Sequence, residues 1–191
     1  MATQAKKRLL IGLSGASGAL LGIELLRLLR EQNSYETHLI ISRAAETSIR
    51  RETDYTAAAV TGLADQTYPI DAVDAAPASG SFQAEGMVVV PCSMKTVAGI
   101  ACGYSDNLLL RAADVTLKEG RRLILVPREC PLSVIHLRNL LTAAEAGAMI
   151  MPPMPSYYHQ FATLEAVNRQ LIGRILEKFG IEIDGLRRWQ G

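Results

Sequence analysis

The chain alternates short apolar runs with stretches in which leucine recurs at helical spacing, and this alternation most limits the folds it can adopt. We predict strands over 8–14, 36–42, 86–92, 122–126 and 148–151, and helices near 18–31, 43–64, 94–101, 107–119, 133–146 and 163–179. Such alternation indicates right-handed crossovers, and therefore an α/β fold whose mainly parallel sheet is covered by helices on both faces. In sheets of this kind ligands bind beyond the carboxyl ends of the strands.

Length, charge and cysteine content exclude several classes of protein. A chain of 191 residues is predicted to form one domain, 1–191, and a net charge of +1 provides no basic field for nucleic acid. No apolar run approaches the roughly 20 residues that span a bilayer, and the basic start, 1–8, lacks a signal-peptide cleavage pattern. Three widely spaced cysteines and three histidines without ligand spacing argue against a disulfide framework or a metal site. We expect a cytoplasmic protein with no membrane or nucleic-acid partner.

A glycine-rich loop, GLSGASG over 12–18, joins the first predicted strand to the first helix. Backbone N–H groups and the helix dipole can hold a phosphate at such a point, although similar turns serve only as connections in many α/β proteins. The spacing GxxGxxG differs from the dinucleotide pattern, and the second strand ends in Ser42-Arg43 without an acidic residue for an adenosine ribose. A mononucleotide is therefore favoured over NAD.

A second loop, PCSMKT over 91–96, repeats this arrangement at the end of another strand. Hydroxyl and amide donors at a helix start can bind an anion, but an ordinary N-cap explains either loop taken alone. No histidine lies near Cys92 in the sequence to act as its base, so we interpret that thiol as buried and inert.

Charged residues outside the loops are candidates for a second anion site. Arg111, Asp114 and Lys118 share one face of the helix near 107–119, opposite its leucines, and a solvated face is the simpler interpretation. Arg128-Glu129 follows a strand, and Tyr158 and Arg174 flank the last helix, so these groups could converge on a dianion.

Glu52 follows the second predicted strand by ten residues and can reach the strand-end crevice as a proton carrier. The simpler alternative is a helix-end carboxylate beside Arg50 and Arg51.

Taken together, these segments resemble the UbiX family of flavin prenyltransferases nearly from end to end. The matching pieces are the GxSGASG and PCSMKT loops and residues 42–45, 52–54, 79–82, 106–109, 111–115, 117–119, 128–129, 131–132, 136–137, 152–155 and 188–190. The chain departs from the family at Arg43, Cys130 and Ser156-Tyr157.

The resemblance implies a Rossmann-like or flavodoxin-like three-layer sandwich that binds FMN without a covalent bond. It implies transfer of a dimethylallyl group from dimethylallyl monophosphate to N5 and C6 of reduced FMN, giving prenylated FMN for a partner decarboxylase. The implied FMN-binding residues are Gly15, Ala16, Ser17, Ser42, Ser93, Met94, Lys95, Thr96 and Arg128. The implied donor-binding residues are Arg111, Lys118, Tyr158 and Arg174.

Catalysis in this scheme needs no metal, because preorganised cations in a dry pocket can stabilise the departing phosphate. Glu52, helped by Ser17, is the implied proton carrier at the flavin ring. The resemblance also implies a homo-oligomer, usually a dodecamer, with sites at subunit contacts.

Two alternatives stay open at this stage. A flavin-dependent decarboxylase related to phosphopantothenoylcysteine decarboxylase shares the loop, but residues 153–158 replace its PxMNxxMW segment. A non-catalytic FMN carrier is the other, and it would have no use for the cationic set Lys118, Tyr158 and Arg174. Whether the donor is a monophosphate or a diphosphate is left undecided.

Overall fold

The computed structural model describes residues 6–189, in which strands and helices follow one another along the chain. The predictions about the first five residues and about Gln190 lie outside the described part. The strands are β1 (Lys7–Leu13), β2 (Tyr35–Ile41), β3 (Gln66–Tyr68), β4 (Gly86–Cys92), β5 (Arg122–Pro127) and β6 (Met149–Ile150). The helices are α1 (Ala19–Gln32), α2 (Arg43–Glu52), α3 (Ala57–Thr61), α4 (Met94–Ala101), α5 (Leu108–Lys118), α6 (Val134–Glu145) and α7 (Leu164–Glu177).

The strands form one sheet in the order β3-β2-β1-β4-β5-β6, and every neighbouring pair is parallel. The strand order reverses direction between β1 and β4, which leaves a crevice beyond their carboxyl ends. This sheet confirms the predicted α/β class and places the expected binding edge at the ends of β1, β2 and β4.

Two hydrophobic cores lie on the two faces of the sheet. Side chains from α1, α2, α3 and α7 fill the first core, and side chains from α4, α5 and α6 fill the second. Gly22 lets α1 approach the sheet closely, because a Cβ there would lie 2.6 Å from the Val90 carbonyl oxygen. The result is the predicted three-layer sandwich, in which each face of the sheet meets a different set of helices.

The structure corrects the predicted helix over 43–64, which is broken into α2 and α3. The Thr53 hydroxyl donates to the Ile49 carbonyl at 2.7 Å and accepts from Tyr55 N at 3.1 Å, while Thr56 caps α3 by accepting from Ala59 N at 3.1 Å. Threonine hydroxyls compete in this way with the helical backbone for hydrogen bonds, and the chain is extended at both residues.

Residues 65–82, where neither a strand nor a helix is predicted, also contain ordered structure. The stretch begins with the edge strand β3 and includes a short 3-10 helix, Ala76–Ala78, that packs against α5. Apolar side chains of this connection, including Ile70 and Phe82, cover the second core. The segment therefore forms the outer wall of the α5 layer.

Candidate active site

A cleft of about 600 Å³ opens beyond the carboxyl ends of β1, β2 and β4, within the size range of small-molecule sites. Of the residues predicted to bind the cofactor, Gly15, Ser42, Ser93, Met94, Lys95 and Thr96 line it. Its other lining residues are Arg43, Ala44, Ile70, Asp71, Asp106, Asn107, Leu109, Leu110 and Glu129. Three of the predicted residues do not line the cleft: Ala16, Ser17 and Arg128. Ala16 adjoins the lining residue Gly15, Ser17 follows Ala16, and Arg128 adjoins the lining residue Glu129.

Two of the helices that begin at this cleft, α2 and α4, have a serine as their N-cap. The Ser42 hydroxyl accepts from Ala45 N at 3.2 Å, and the Ser93 hydroxyl accepts from Thr96 N at 3.3 Å. Both serines are thus N-caps that also line the cleft, so the N-cap and the anion-binding interpretations of these loops are compatible. Helix N-termini carry partial positive charge, and Lys95 adds a full positive charge beside one of them. This end of the cleft suits an anion.

The cleft also has an apolar wall against which a flat ring can pack. Met94, Leu109 and Leu110 are buried hydrophobic residues of the second core that also line the cleft. A flavin mononucleotide combines an anionic phosphate with a largely apolar ring system. The donor set and the apolar wall of this cleft therefore fit such a group.

Ser14 hydrogen-bonds the glycine-rich loop to the segment 91–93 at the end of β4. No sequence pattern indicated this residue. Its hydroxyl accepts from Ser93 N at 2.7 Å and donates to the Pro91 carbonyl at 3.2 Å. Its own backbone N–H also donates to the Pro91 carbonyl, at 3.1 Å, and the residue is 2% exposed. Ser14 consequently fixes the glycine-rich loop against the loop that follows β4.

Replacing Ser14 by alanine should therefore destabilise the protein, because Ser93 N–H loses its buried acceptor. We expect the free energy of unfolding to fall by about 1–3 kcal/mol. Urea unfolding of the flavin-free protein measures this change. Ser48→Ala, which removes a hydroxyl that donates to the Ala44 carbonyl within α2, is the matched control. Equal stabilities for the two variants would show that Ser14 does not hold the loops together.

Glu52 lies at the last turn of α2 and contacts the start of α1. Its Oε2 accepts from Gly18 N at 2.8 Å and from Ala19 N at 3.0 Å. Gly18 has φ = 104°, a left-handed conformation that glycine adopts without strain, and this conformation turns the loop into the helix. The N–H groups of Gly18 and Ala19 therefore already have a protein acceptor. Within residues 6–189 the N–H groups of Gly15 and Ser17 have no protein acceptor and are the donors this loop can offer a ligand.

The cationic face of α5 is partly covered and partly open to solvent. Arg111 donates to the Ala78 carbonyl at 3.2 Å and to Asp114 at 2.7 Å, so the connection between β3 and β4 partly covers it. Lys118 pairs with Glu119 and stays half-exposed. The cleft lies at the start of α5 and Lys118 at its end, about 15 Å along the axis at 1.5 Å per residue.

Arg174 lines a second, smaller pocket of about 170 Å³ on the other face of the sheet. Apart from Arg174, the pocket wall is made of aliphatic, methionine and proline side chains: Leu21, Val126, Met151, Pro152, Pro153, Met154, Leu171, Ile172 and Ile175. Tyr158 lies just beyond this segment, half-exposed, with its ring against His159 and Trp189. An apolar pocket with one cation suits a ligand that is part hydrocarbon and part anion.

Other groups that could carry chemistry do not form a site in the described residues. Cys92 is fully buried, and burial raises the pKa of its thiol far above the ordinary value, so the thiol is protonated at neutral pH. Within residues 6–189 no three His, Cys, Asp or Glu side chains form a cluster able to hold a metal ion. The same part of the chain contains no helix with the length and apolar character needed to cross a membrane.

The sandwich and its strand-end cleft define a protein of the flavin-binding α/β class, and comparison with known families agrees. The family described as "Flavoprotein" matches residues 2–174. The flavin prenyltransferase UbiX of Escherichia coli K12 is 49% identical over 187 residues, which cover 97% of this chain and 99% of the relative.

Two solved structures share the whole fold. One, a complex of AnUbiX (PadA1) with FMN and dimethylallyl pyrophosphate, gives a TM-score of 0.95 at 48% identity, covering 98% of this chain and 99% of that one. The other, a dodecameric FMN-dependent UbiX-like decarboxylase from Escherichia coli O157:H7, gives 0.94 at 49% identity, covering 96% and 100%. The chain belongs to the UbiX-type flavin prenyltransferase family, which confirms the predicted family, enzyme class and flavin cofactor.

Proposed function

We propose that this protein transfers a dimethylallyl group from dimethylallyl monophosphate to N5 and C6 of reduced FMN, producing prenylated FMN for a partner decarboxylase. The observation that carries the proposal is a pair of pockets at one edge of the sheet. One is polar at one end and apolar along its wall, and the other is apolar with a single arginine. FMN and a prenyl phosphate have these two characters, and the solved relative AnUbiX binds FMN and dimethylallyl pyrophosphate.

In this proposal the large cleft holds FMN. Ser42, Ser93, Lys95 and Thr96 bind its polar groups, while Met94 contacts the ring. Gly15 and Ser17, on either side of Ala16, supply backbone donors next to the cleft, and Arg128 adds a cation one residue before the lining residue Glu129. Bound and reduced, FMN supplies the nucleophilic N5 and C6 atoms.

The donor occupies the small pocket with its hydrocarbon part against Met151, Pro152 and Leu171. Arg174 and Tyr158 bind its phosphate, and Arg111 and Lys118 add positive charge as the allylic C–O bond breaks. Preorganised cations stabilise a departing phosphate in a site that excludes water, so these residues lower the barrier without a metal. Glu52 moves protons through its carboxylate, which Gly18 and Ala19 hold beside Ser17.

Placing Lys118 in the same site requires a neighbouring subunit, because in one chain it lies at the far end of α5 from the cleft. We therefore propose a homo-oligomer in which one subunit presents Lys118 and Arg111 to the site of the next. The solved relative from Escherichia coli O157:H7 is dodecameric, which supports a dodecamer here.

The direct test is transfer itself. Protein loaded with FMN is reduced anaerobically and incubated with dimethylallyl monophosphate, and the flavin mass is then measured. We expect the flavin to gain one prenyl unit. Parallel reactions with the diphosphate and without any donor decide which donor is used. A flavin of unchanged mass with both donors would refute the proposed activity.

Flavin-dependent decarboxylation is the alternative, since one solved relative is described as a decarboxylase. The segment 153–158, which lines and borders the small pocket, replaces the motif expected of the phosphopantothenoylcysteine decarboxylase group. The apolar pocket around Arg174 also distinguishes this chain from a simple FMN carrier, which needs no second site. Both features favour transfer.

A further inference from the structure

Gln170 is a buried polar residue of α7 whose side chain hydrogen-bonds to the backbone of Arg187, 17 residues further along the chain. It is 6% exposed. Its Nε2 donates to the Arg187 carbonyl at 2.7 Å, and its Oε1 accepts from Arg187 N at 3.0 Å. Both ends of the amide therefore bond to one residue, in the manner of a strand pairing with its neighbour. A buried amide with both ends satisfied fixes its partner in one position.

The backbone held at Arg187 leads directly into contacts with the segment that contains Tyr158. The Arg187 guanidinium donates to the His159 carbonyl and lies 5.4 Å from the centre of the Phe161 ring. Two residues further on, the Trp189 ring meets the Tyr158 ring edge to face, with centres 5.1 Å apart. Residues 187–189, here called the C-terminal clamp, thus touch the 158–161 segment at three points.

Apart from Trp189, few contacts in the described residues restrict the Tyr158 ring. This residue is half-exposed, and the only other aromatic contact in the described residues is its sequence neighbour His159 at 4.3 Å. Aromatic pairs at such spacings favour one ring orientation over others. The position of Tyr158 therefore depends on where Trp189 lies, and Trp189 depends on the backbone that Gln170 holds.

We infer that Gln170 is a positioning residue for the prenyl donor, acting through the C-terminal clamp on Tyr158. The donor-binding role of Tyr158 rests on the proposed function, whereas the link from Gln170 to Trp189 rests on the contacts alone. Loss of the link should be local, because Phe179, Ile181 and Ile183 are buried in the first core and keep the preceding chain in place. Within the clamp Arg188 also pairs with Glu177, but an exposed ion pair of this kind contributes little to fixing a segment.

Trp189 is the single tryptophan of the chain and reports directly on the clamp. The test uses Gln170→Met, which keeps side-chain length and removes both hydrogen bonds. In flavin-free protein we expect acrylamide to quench the tryptophan emission up to about 1.5-fold more efficiently, because the ring is already 68% exposed while the clamp holds it. Asn168→Met, on the same helix but facing the groove next to α1, is the matched control and should leave quenching unchanged. Unchanged quenching in Gln170→Met would overturn the inferred link.

The second measurement is steady-state transfer. Gln170→Met should raise KM for dimethylallyl monophosphate about tenfold while kcat and FMN affinity stay near wild type. The reason is that a correctly positioned Tyr158 strengthens binding of the donor in the ground state. A role in general stability would instead lower FMN affinity and the yield of folded protein. Released tryptophan with an unchanged KM would overturn the positioning role.

If Gln170→Met does not fold, Trp189→Leu tests the same link at an exposed position, and it should give the same rise in KM. An unchanged KM there would also overturn the inference. Wild-type protein assayed in parallel separates the two proposals. If it transfers no prenyl group, the proposed function fails, while the quenching result still decides whether Gln170 holds the clamp.

Discussion

Replacing Glu52 by glutamine should leave FMN bound and lower the rate of prenyl transfer by about 10²–10⁴-fold, the usual contribution of a positioned acid or base. The glutamine side-chain oxygen can still accept from Gly18 N and Ala19 N, so the start of α1 keeps its hydrogen bonds. What the variant loses is a group that can take up and release a proton. Single-turnover transfer and FMN titration by fluorescence quenching measure the two effects separately.

Asp54→Asn is the matched control, since it makes the same chemical change two residues away on an exposed side chain. It should transfer at the wild-type rate. An equal loss in both variants would point to the local charge around α1, and full activity in Glu52→Gln would remove Glu52 from the mechanism.

Mixing two inactive variants should restore activity if the site is shared between subunits. Lys118→Ala removes the cation at the end of α5 and should reduce transfer about 10²–10³-fold, as losses of preorganised charge stabilisation do. Glu52→Gln supplies subunits with Lys118 intact. In randomly mixed oligomers, about one site in four combines a normal Glu52 from one subunit with a normal Lys118 from its neighbour. Co-refolded mixtures should therefore recover about a quarter of wild-type transfer.

Native mass spectrometry establishes that mixed oligomers have formed before activity is measured. A mixture of Lys118→Ala with unmodified protein should keep about half of wild-type transfer in either arrangement, and it therefore controls for activity lost during refolding. Mixed oligomers with no recovered transfer would place Lys118 and Glu52 in the same subunit's site, contrary to the proposed arrangement.

Most strands and helices were predictable from the sequence, whereas the edge strand β3 and the break after α2 were not. The predicted strands over 8–14, 36–42 and 86–92 agree with β1, β2 and β4 to within about one residue, since continuous apolar runs mark buried parallel strands. The edge strand β3 has three residues, too few to show a period. The break after α2 depends on the hydroxyls of Thr53 and Thr56, and threonine also occurs inside helices.

Residues of the site were predictable where one loop carries them and not where two parts of the chain meet. The serines at 42 and 93 follow strands and precede helices, so their place at the cleft follows from order along the chain. Ser14 bonds to a loop more than 70 residues away, and no local pattern indicates that contact. The same holds for Gln170, whose partner Arg187 lies beyond the end of its helix.

The two pockets open at one edge of the sheet, yet their walls come from different hydrophobic layers: the large cleft draws on α4 and α5, and the small pocket on α1 and α7. Side chains that line one pocket can consequently be substituted without changing those that line the other. Under the proposed function, substitutions among Met151, Met154 and Leu171 would resize the donor pocket for a longer or shorter hydrocarbon without disturbing the side chains behind the cofactor cleft. A change of donor would then require substitutions in one layer only, while the other layer stays constant.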